Sequence, residues 1–376
     1  MLKPLLKAAY YIDHGFDKVR WTYLRKFNRV GQLNLMVYRG MGNLEKAFIS
    51  GRLIEKRNIR PARQQDTKWR NLLSMYKRFE SNEIPGARIQ ATFYGQHLET
   101  KTDNEGFFEF SLPVPKDLDQ SLVWHDVELV LLDNIGKNSG PVKATGRIII
   151  PQDEAEYGII SDIDDTVLQT SATSFIRMMQ KTFLYNSRTR LPFEGVSGFY
   201  KALHNGSRNI SVKNPLYYVS SSPWNLYDML EEFFEIQKLP AGPFMLRQLG
   251  LNPQLLFQNS HHNHKLREIE KVFTFTGDLP FILIGDSGQH DPEIYLEVVK
   301  NHPGRILAVY IRDVTTDKRD HKVFALTDEM QKLGTEMIYV KDTEAAARHA
   351  IGRGFIPAEE LKDVQIEKQK DLEAVD

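Results

Sequence analysis

The chain has 376 residues, 41% of them hydrophobic, enough for two separately cored domains. Lysine plus arginine and aspartate plus glutamate both number 49, so the formal charge is zero and no basic excess points to nucleic acid. Cysteine is absent, which excludes disulfides, thiolate nucleophiles and cysteine-ligated zinc and is compatible with the cytoplasm.

Residues 1–30 read as an amphipathic basic helix. Leu2, Leu5, Ala9, Ile12, Phe16, Val19, Tyr23 and Phe27 recur every three or four positions and share one face. Seven basic residues between Lys3 and Arg29 stand against two acidic ones, Asp13 and Asp17. Such a helix can lie on an anionic membrane surface or cover the core of its own domain. The second use is the commoner one and is favoured, with Gly15 weakening the middle of the helix. The apolar start is broken by Lys3, Pro4 and Lys7, unlike a signal peptide, and no run reaches the roughly 20 apolar residues of a membrane span. The expectation is a cytoplasmic protein, at most peripheral on a membrane.

Over 31–152 the apolar period changes to two. "AFISGRLIEK", "ARIQATFYG", "GFFEFSLPV", "HDVELVLLD" and "VKATGRIII" predict strands separated by Gly, Pro, Asn and Asp clusters. "TKTDNEGFFEFSLP" predicts strand, tight turn, strand, with Asn104 and Gly106 in the turn. Together these predict an antiparallel β-sandwich accessory domain, interrupted by a helix over 62–81. The hairpin is similar to transthyretin-like and carboxypeptidase-regulatory modules. No catalytic constellation lies in this stretch.

From 153 to 345 short apolar runs alternate with helical stretches. "YGIISDID", "PLYYVSSS", "FILIGDS" and "RILAVYIRD" suit buried parallel strands, with helices over 223–236 and 264–273. This is the pattern of an α/β, doubly wound Rossmann-like parallel sheet, whose ligands sit beyond the carboxyl ends of the strands. Residues 346–376 are a charged C-terminal helix or tail.

The polar residues that end those runs are Asp162 and Asp164, Ser220 and Ser221, then Asp286 and Asp291, with Lys265 expected at the start of a helix. A carboxylate cluster with oxygen ligands suits Mg²⁺, which would offset the repulsion among them. "SHHNHK" offers His261, His262 and His264 for zinc, but adjacent histidines cannot all face one ion. His264 is a candidate lining residue of the same site beside Lys265.

Asp-x-Asp-x-Thr, then Ser, then Lys, then Gly-Asp-x-x-x-x-Asp resembles the haloacid dehalogenase superfamily over about 155–320, in the same order. The resemblance implies Asp162 as nucleophile and Asp164 as acid and base. It implies Ser220 and Lys265 on the phosphoryl oxygens, and Thr166 and Ser221 as structural support. Mg²⁺ would be held by Asp162, Asp286, the backbone carbonyl of Asp164 and, from the second shell, Asp291. Asp165 reads as a local cap. Dehalogenases of the superfamily lack the second aspartate, so Asp164 implies phosphate-ester hydrolysis.

Only 168–192 is available for a cap, room for one helix and a loop. A small or absent cap suits a bulky substrate. Phe175, Ile176, Met178, Met179, Phe183 and Leu184 make that helix broadly apolar, a face that packing on its own domain accounts for. The longer strings "YGIISDIDDT", "YYVSSSPWNLYDML" and "FILIGDSGQHDPEIY" resemble the actin-patch-associated phosphatidate phosphatases, and "VYRGMGNLEKAFISGRLIE" resembles bacterial relatives. That resemblance implies Mg²⁺-dependent conversion of phosphatidate to diacylglycerol, with phospholipid as partner. The fungal proline-rich tail has no counterpart in 357–376, so cytoskeletal partners are not implied. A phosphomonoesterase on a soluble or protein-bound substrate, and a non-catalytic membrane or protein adaptor, are the alternatives.

Overall fold

The computed structural model describes residues 30–56, 83–163, 195–208, 211–248, 261–287, 290–313 and 317–373. The expected helices at 1–30 and 62–81, the cap segment, and Asp164, Asp165 and Thr166 lie outside them. The chain divides into two compact units that change over chiefly at Ile150 and Pro151, with Gln248–Asn263 assigned to the first.

Among the described residues the first unit holds eight strands: β1 Leu33–Val37, β2 Gly40–Gly42, β3 Lys46–Glu55, β4 Arg88–Phe93, β5 Gln96–Lys101, β6 Phe107–Pro113, β7 Trp124–Leu131 and β8 Lys143–Ile149. They run in the order β1-β3-β2-β8-β7-β4-β5, with β6 added on β3, and all pairs but β2–β8 are antiparallel. Alternation decides which side chains meet. Phe108, Phe110 and Leu112 of β6 and Val127 and Leu129 of β7 point into one core with Ile49, Leu53, Ile89 and Phe93.

One predicted pairing differs. The strands on either side of Asn104 and Gly106 do not bond to each other, because β5 pairs with β4 and β6 with β3. The turn itself directs this. Gly106 adopts φ +79°, Leu53 N–H donates to its carbonyl at 2.9 Å, and Arg52 Nε donates to the Glu105 carbonyl at 2.8 Å. The turn is therefore tied to the end of β3, and β6 follows it there.

The second unit contains β9 Gly158–Asp162, α1 Val196–Asn205, β10 Leu216–Pro223, α2 Tyr227–Ile236, β11 Phe244–Arg247, α3 His261–Phe275 and β12 Phe281–Asp286. It continues with α4 Asp291–Asn301, β13 Ile306–Arg312, α5 Asp317–Lys332, β14 Glu336–Val340, α6 Thr343–Gly352 and α7 Glu360–Glu373. Six parallel strands run in the order β11-β10-β9-β12-β13-β14. From β9 the chain first builds outward through β10 and β11, then returns to the other side of β9 with β12. The switch point lies between β9 and β12, where the carboxyl ends open a crevice.

The four central strands are apolar runs buried on both faces, and in β12 every residue is buried. Gly158 lets the Phe281 ring lie across β9, since a Cβ there would stand 2.3 Å from it. The charged tail is a docked helix. Val364 of α7 is fully buried, and a Cβ on Gly198 of α1 would come within 2.9 Å of its Cα. Among the described residues no helix is long and apolar enough to cross a membrane.

Candidate active site

Asp162 ends β9. On one side it is in register with Val219 of β10, whereas the ladder with β12 stops one residue earlier, at Ser161 and Ile284. The two strands that carry Asp162 and Asp286 thus part at the switch point. Their carboxylates and that of Asp291, at the start of α4, offer oxygens all within 4.8 Å of one another.

Lys265 lies between them. Its ammonium is 2.8 Å from Asp162 Oδ1 and 2.7 Å from Asp291 Oδ1. The side chains of Lys265, Asp162 and Asp291 are no more than 2% exposed, so water screens these pairs little. Lys265 sits in the second turn of α3 and not at its start, because the helix already begins at His261.

The Gly-Asp-x-x-x-x-Asp spacing has a local cause. The Asp286 N–H donates to Asp291 Oδ2 at 3.2 Å, which folds the β12–α4 connection back on the strand end. Gly285 makes room for this carboxylate, since a Cβ there would stand 2.5 Å from Asp291 Oδ2.

Ser220 follows Val219 and is fully buried; its Oγ accepts the Ser222 N–H at 2.9 Å. Ser221 is half-buried on the same strand. His264 is also buried, and its Nε2 lies 3.4 Å from the Ser220 carbonyl while Arg267 Nη2 lies 3.2 Å from its Nδ1. It braces the Ser220 backbone. The one metal-competent group found among the described residues contains no histidine.

The structure thus brings together Asp162, Lys265, Asp286 and Asp291 and places Ser220 and Ser221 on the adjoining strand end. Asp164, Thr166 and Asp165 lie outside the described residues. Sequence reasoning missed Ser161, Tyr200 and Tyr295, and had Gly285 only as the first residue of a motif. Tyr200 is pushed up to about 12 by burial, against the Ser161 hydrogen bond that lowers it and with the Asp162 charge adding to the rise. Tyr295 is raised well above 10 by burial first and then by Asp291 and Asp162. Both phenols sit in the negative field of the aspartates.

Three carboxylates against one ammonium leave an excess of two negative charges, which a single divalent cation balances. The donors are all oxygen, the set preferred by hard cations such as Mg²⁺. The residues present fit such an ion.

Residues 157–313 match the family model described as phosphatidate phosphatase APP1, catalytic domain, a span that includes every candidate residue above. Phosphatidate phosphatase APP1 of Saccharomyces cerevisiae is 32% identical over 163 residues, 43% of this chain and 27% of the relative. An uncharacterized protein of Schizosaccharomyces pombe is 30% identical over 217 residues, 57% of this chain and 34% of the relative. The chain therefore spans about a third or less of the length of these curated relatives. Among solved structures, an immunoglobulin-like domain of the M. primoryensis ice-binding adhesin covers 32% of this chain and 97% of its own. Its 13% identity and TM-score of 0.17 are too low for an inference of shared fold. By sequence, residues 157–313 of the α/β unit are similar to the phosphatidate phosphatase APP1 catalytic domain.

Proposed function

We propose that this chain is a Mg²⁺-dependent phosphatase of haloacid dehalogenase type that removes phosphate from a phosphomonoester, with phosphatidate as substrate and diacylglycerol as product. One observation carries the reading: the Asp162, Asp286 and Asp291 carboxylates converge within 4.8 Å at the switch point. The yeast relative named phosphatidate phosphatase APP1 supports the choice of substrate.

Mg²⁺ would be held by Asp162 and Asp286, by the Asp164 backbone carbonyl and, from behind, by Asp291; bound there, it supplies positive charge to the phosphoryl oxygens. Asp162 attacks phosphorus in line, forming an aspartyl-phosphate as the bond to the leaving oxygen breaks. Asp164 gives its proton to the leaving alkoxide. As a carboxylate it then takes a proton from the water that hydrolyses the aspartyl-phosphate, releasing inorganic phosphate. Lys265 and Ser220 hold the equatorial oxygens as charge moves onto them. The ion pairs of Lys265 with Asp162 and Asp291 keep the carboxylates gathered before substrate arrives. Thr166 and Ser221 support the two strand-end turns through their hydroxyls.

The lipid substrate brings the protein to a membrane surface. The reading is tested by substituting Asp162→Asn and Asp164→Asn in separate chains. Each is expected to abolish Mg²⁺-dependent phosphate release, and retention of activity in both would remove the mechanism.

A further inference from the structure

Ser161 is fully buried directly before the proposed nucleophile, and strand alternation turns its side chain to the face opposite the Asp162 carboxylate. Its Oγ lies 2.9 Å from the Asp162 carbonyl oxygen and 2.6 Å from the Tyr200 hydroxyl on α1. A carbonyl only accepts, so Ser161 donates to Asp162, and Tyr200 in turn donates to Ser161. The chain of bonds has one direction, from the helix to the strand end.

The relay acts where the ladder between β9 and β12 ends. On the β12 side the ladder ends at Ser161 and Ile284, and the next amide of β12 but one, that of Asp286, is bonded to Asp291 instead. The Asp162 carbonyl accepts from the Ser161 side chain one residue beyond the last pair of that ladder. The Tyr200 ring is itself fixed, stacked at 19° and 6.5 Å on Tyr218, the register partner of Ser161. The other strand of the crevice has a similar brace, with Tyr295 donating to the Ile284 carbonyl at 2.8 Å.

We propose that Tyr200 and Ser161 form a hydroxyl relay that fixes the Asp162 peptide, and with it the angle of the Asp162 carboxylate, from the back of the sheet. They are positioning residues and touch no substrate. The inference rests on the phosphatase reading for its kinetic consequence, but not for its effect on ion binding.

The test uses the full chain with Tyr200→Phe, Ser161→Ala and the double variant, with Tyr217→Phe as a buried-tyrosine control. Mg²⁺ binding is measured by calorimetry, phosphate release by steady-state kinetics, and folding by thermal melting of the ion-free chain. Each single variant is expected to weaken Mg²⁺ binding and lower kcat about tenfold with KM for the ester unchanged, the size seen when a group supporting a metal ligand is lost. The double variant is expected to be no worse than either single one, since both break the same chain. Wild-type Mg²⁺ affinity in both single variants, or fully additive losses, would overturn the relay. Weakened binding in variants of a chain that hydrolyses no phosphomonoester would support the relay and remove the phosphatase reading instead.

Discussion

Asp286 donates its backbone N–H to the Asp291 carboxylate at 3.2 Å, and this bond gathers the second and third acids of the site. It also explains the glycine before them. Gly285→Ala puts a methyl group 2.5 Å from Asp291 Oδ2 and 2.9 Å from the Tyr295 ring, where neither the short aspartate nor the buried ring can yield cheaply. The variant is expected to fold with reduced stability and to lose roughly tenfold or more in Mg²⁺ affinity, measured by calorimetry.

Lys265→Met removes the ammonium from between Asp162 and Asp291 and leaves two buried carboxylates uncompensated. Breaking such a buried arrangement costs about 3–5 kcal/mol, to be read from urea unfolding without divalent ions. Added Mg²⁺ is expected to recover part of that loss, because it supplies charge to the same oxygens.

Tyr217 is fully buried on β10, and its hydroxyl has no hydrogen-bond partner among the described residues. Burial alone pushes its ionisation far up. Removing an unsatisfied buried hydroxyl costs no bond, so Tyr217→Phe is expected to leave stability unchanged or raise it by about 1 kcal/mol. Denaturant unfolding of the two chains decides the sign.

His204 at the end of α1 donates Nδ1–H to the Asn214 carbonyl at 2.7 Å. Burial holds its pKa below the ordinary 6.5, against the pull of that bond, with Lys213 adding to the depression. Below pH 6.5 the unfolded chain takes up a proton that the folded chain refuses. The stability His204 contributes is complete above that pH and is lost as pH falls through its folded value. Unfolding free energy against pH should show this decline, and His204→Gln should flatten it.

Much of the α/β unit was legible because its strands are short apolar runs ending in polar residues. β9, β10, β12 and β13 all stand where those runs predict them. β11, with only 4 residues, and β14, whose residues are largely part-exposed, are the edge strands of the sheet and were not anticipated. Asp162, Lys265, Asp286 and Asp291 were found through a motif, but Tyr200 and Ser161 meet across 39 positions and leave no local pattern. Strand pairing in the first unit failed in the same way. The partner of β6 is fixed by bonds from the Arg52 side chain and the Leu53 backbone to the Glu105–Gly106 turn, which no turn propensity encodes.

The central claim is tested most directly by phosphate release from phosphatidate in mixed micelles, set beside a panel of water-soluble phosphate esters, with and without Mg²⁺. The account predicts Mg²⁺-dependent release with phosphatidate preferred. Preference for the soluble esters would contradict the lipid substrate, and no release from any ester would contradict the phosphatase itself.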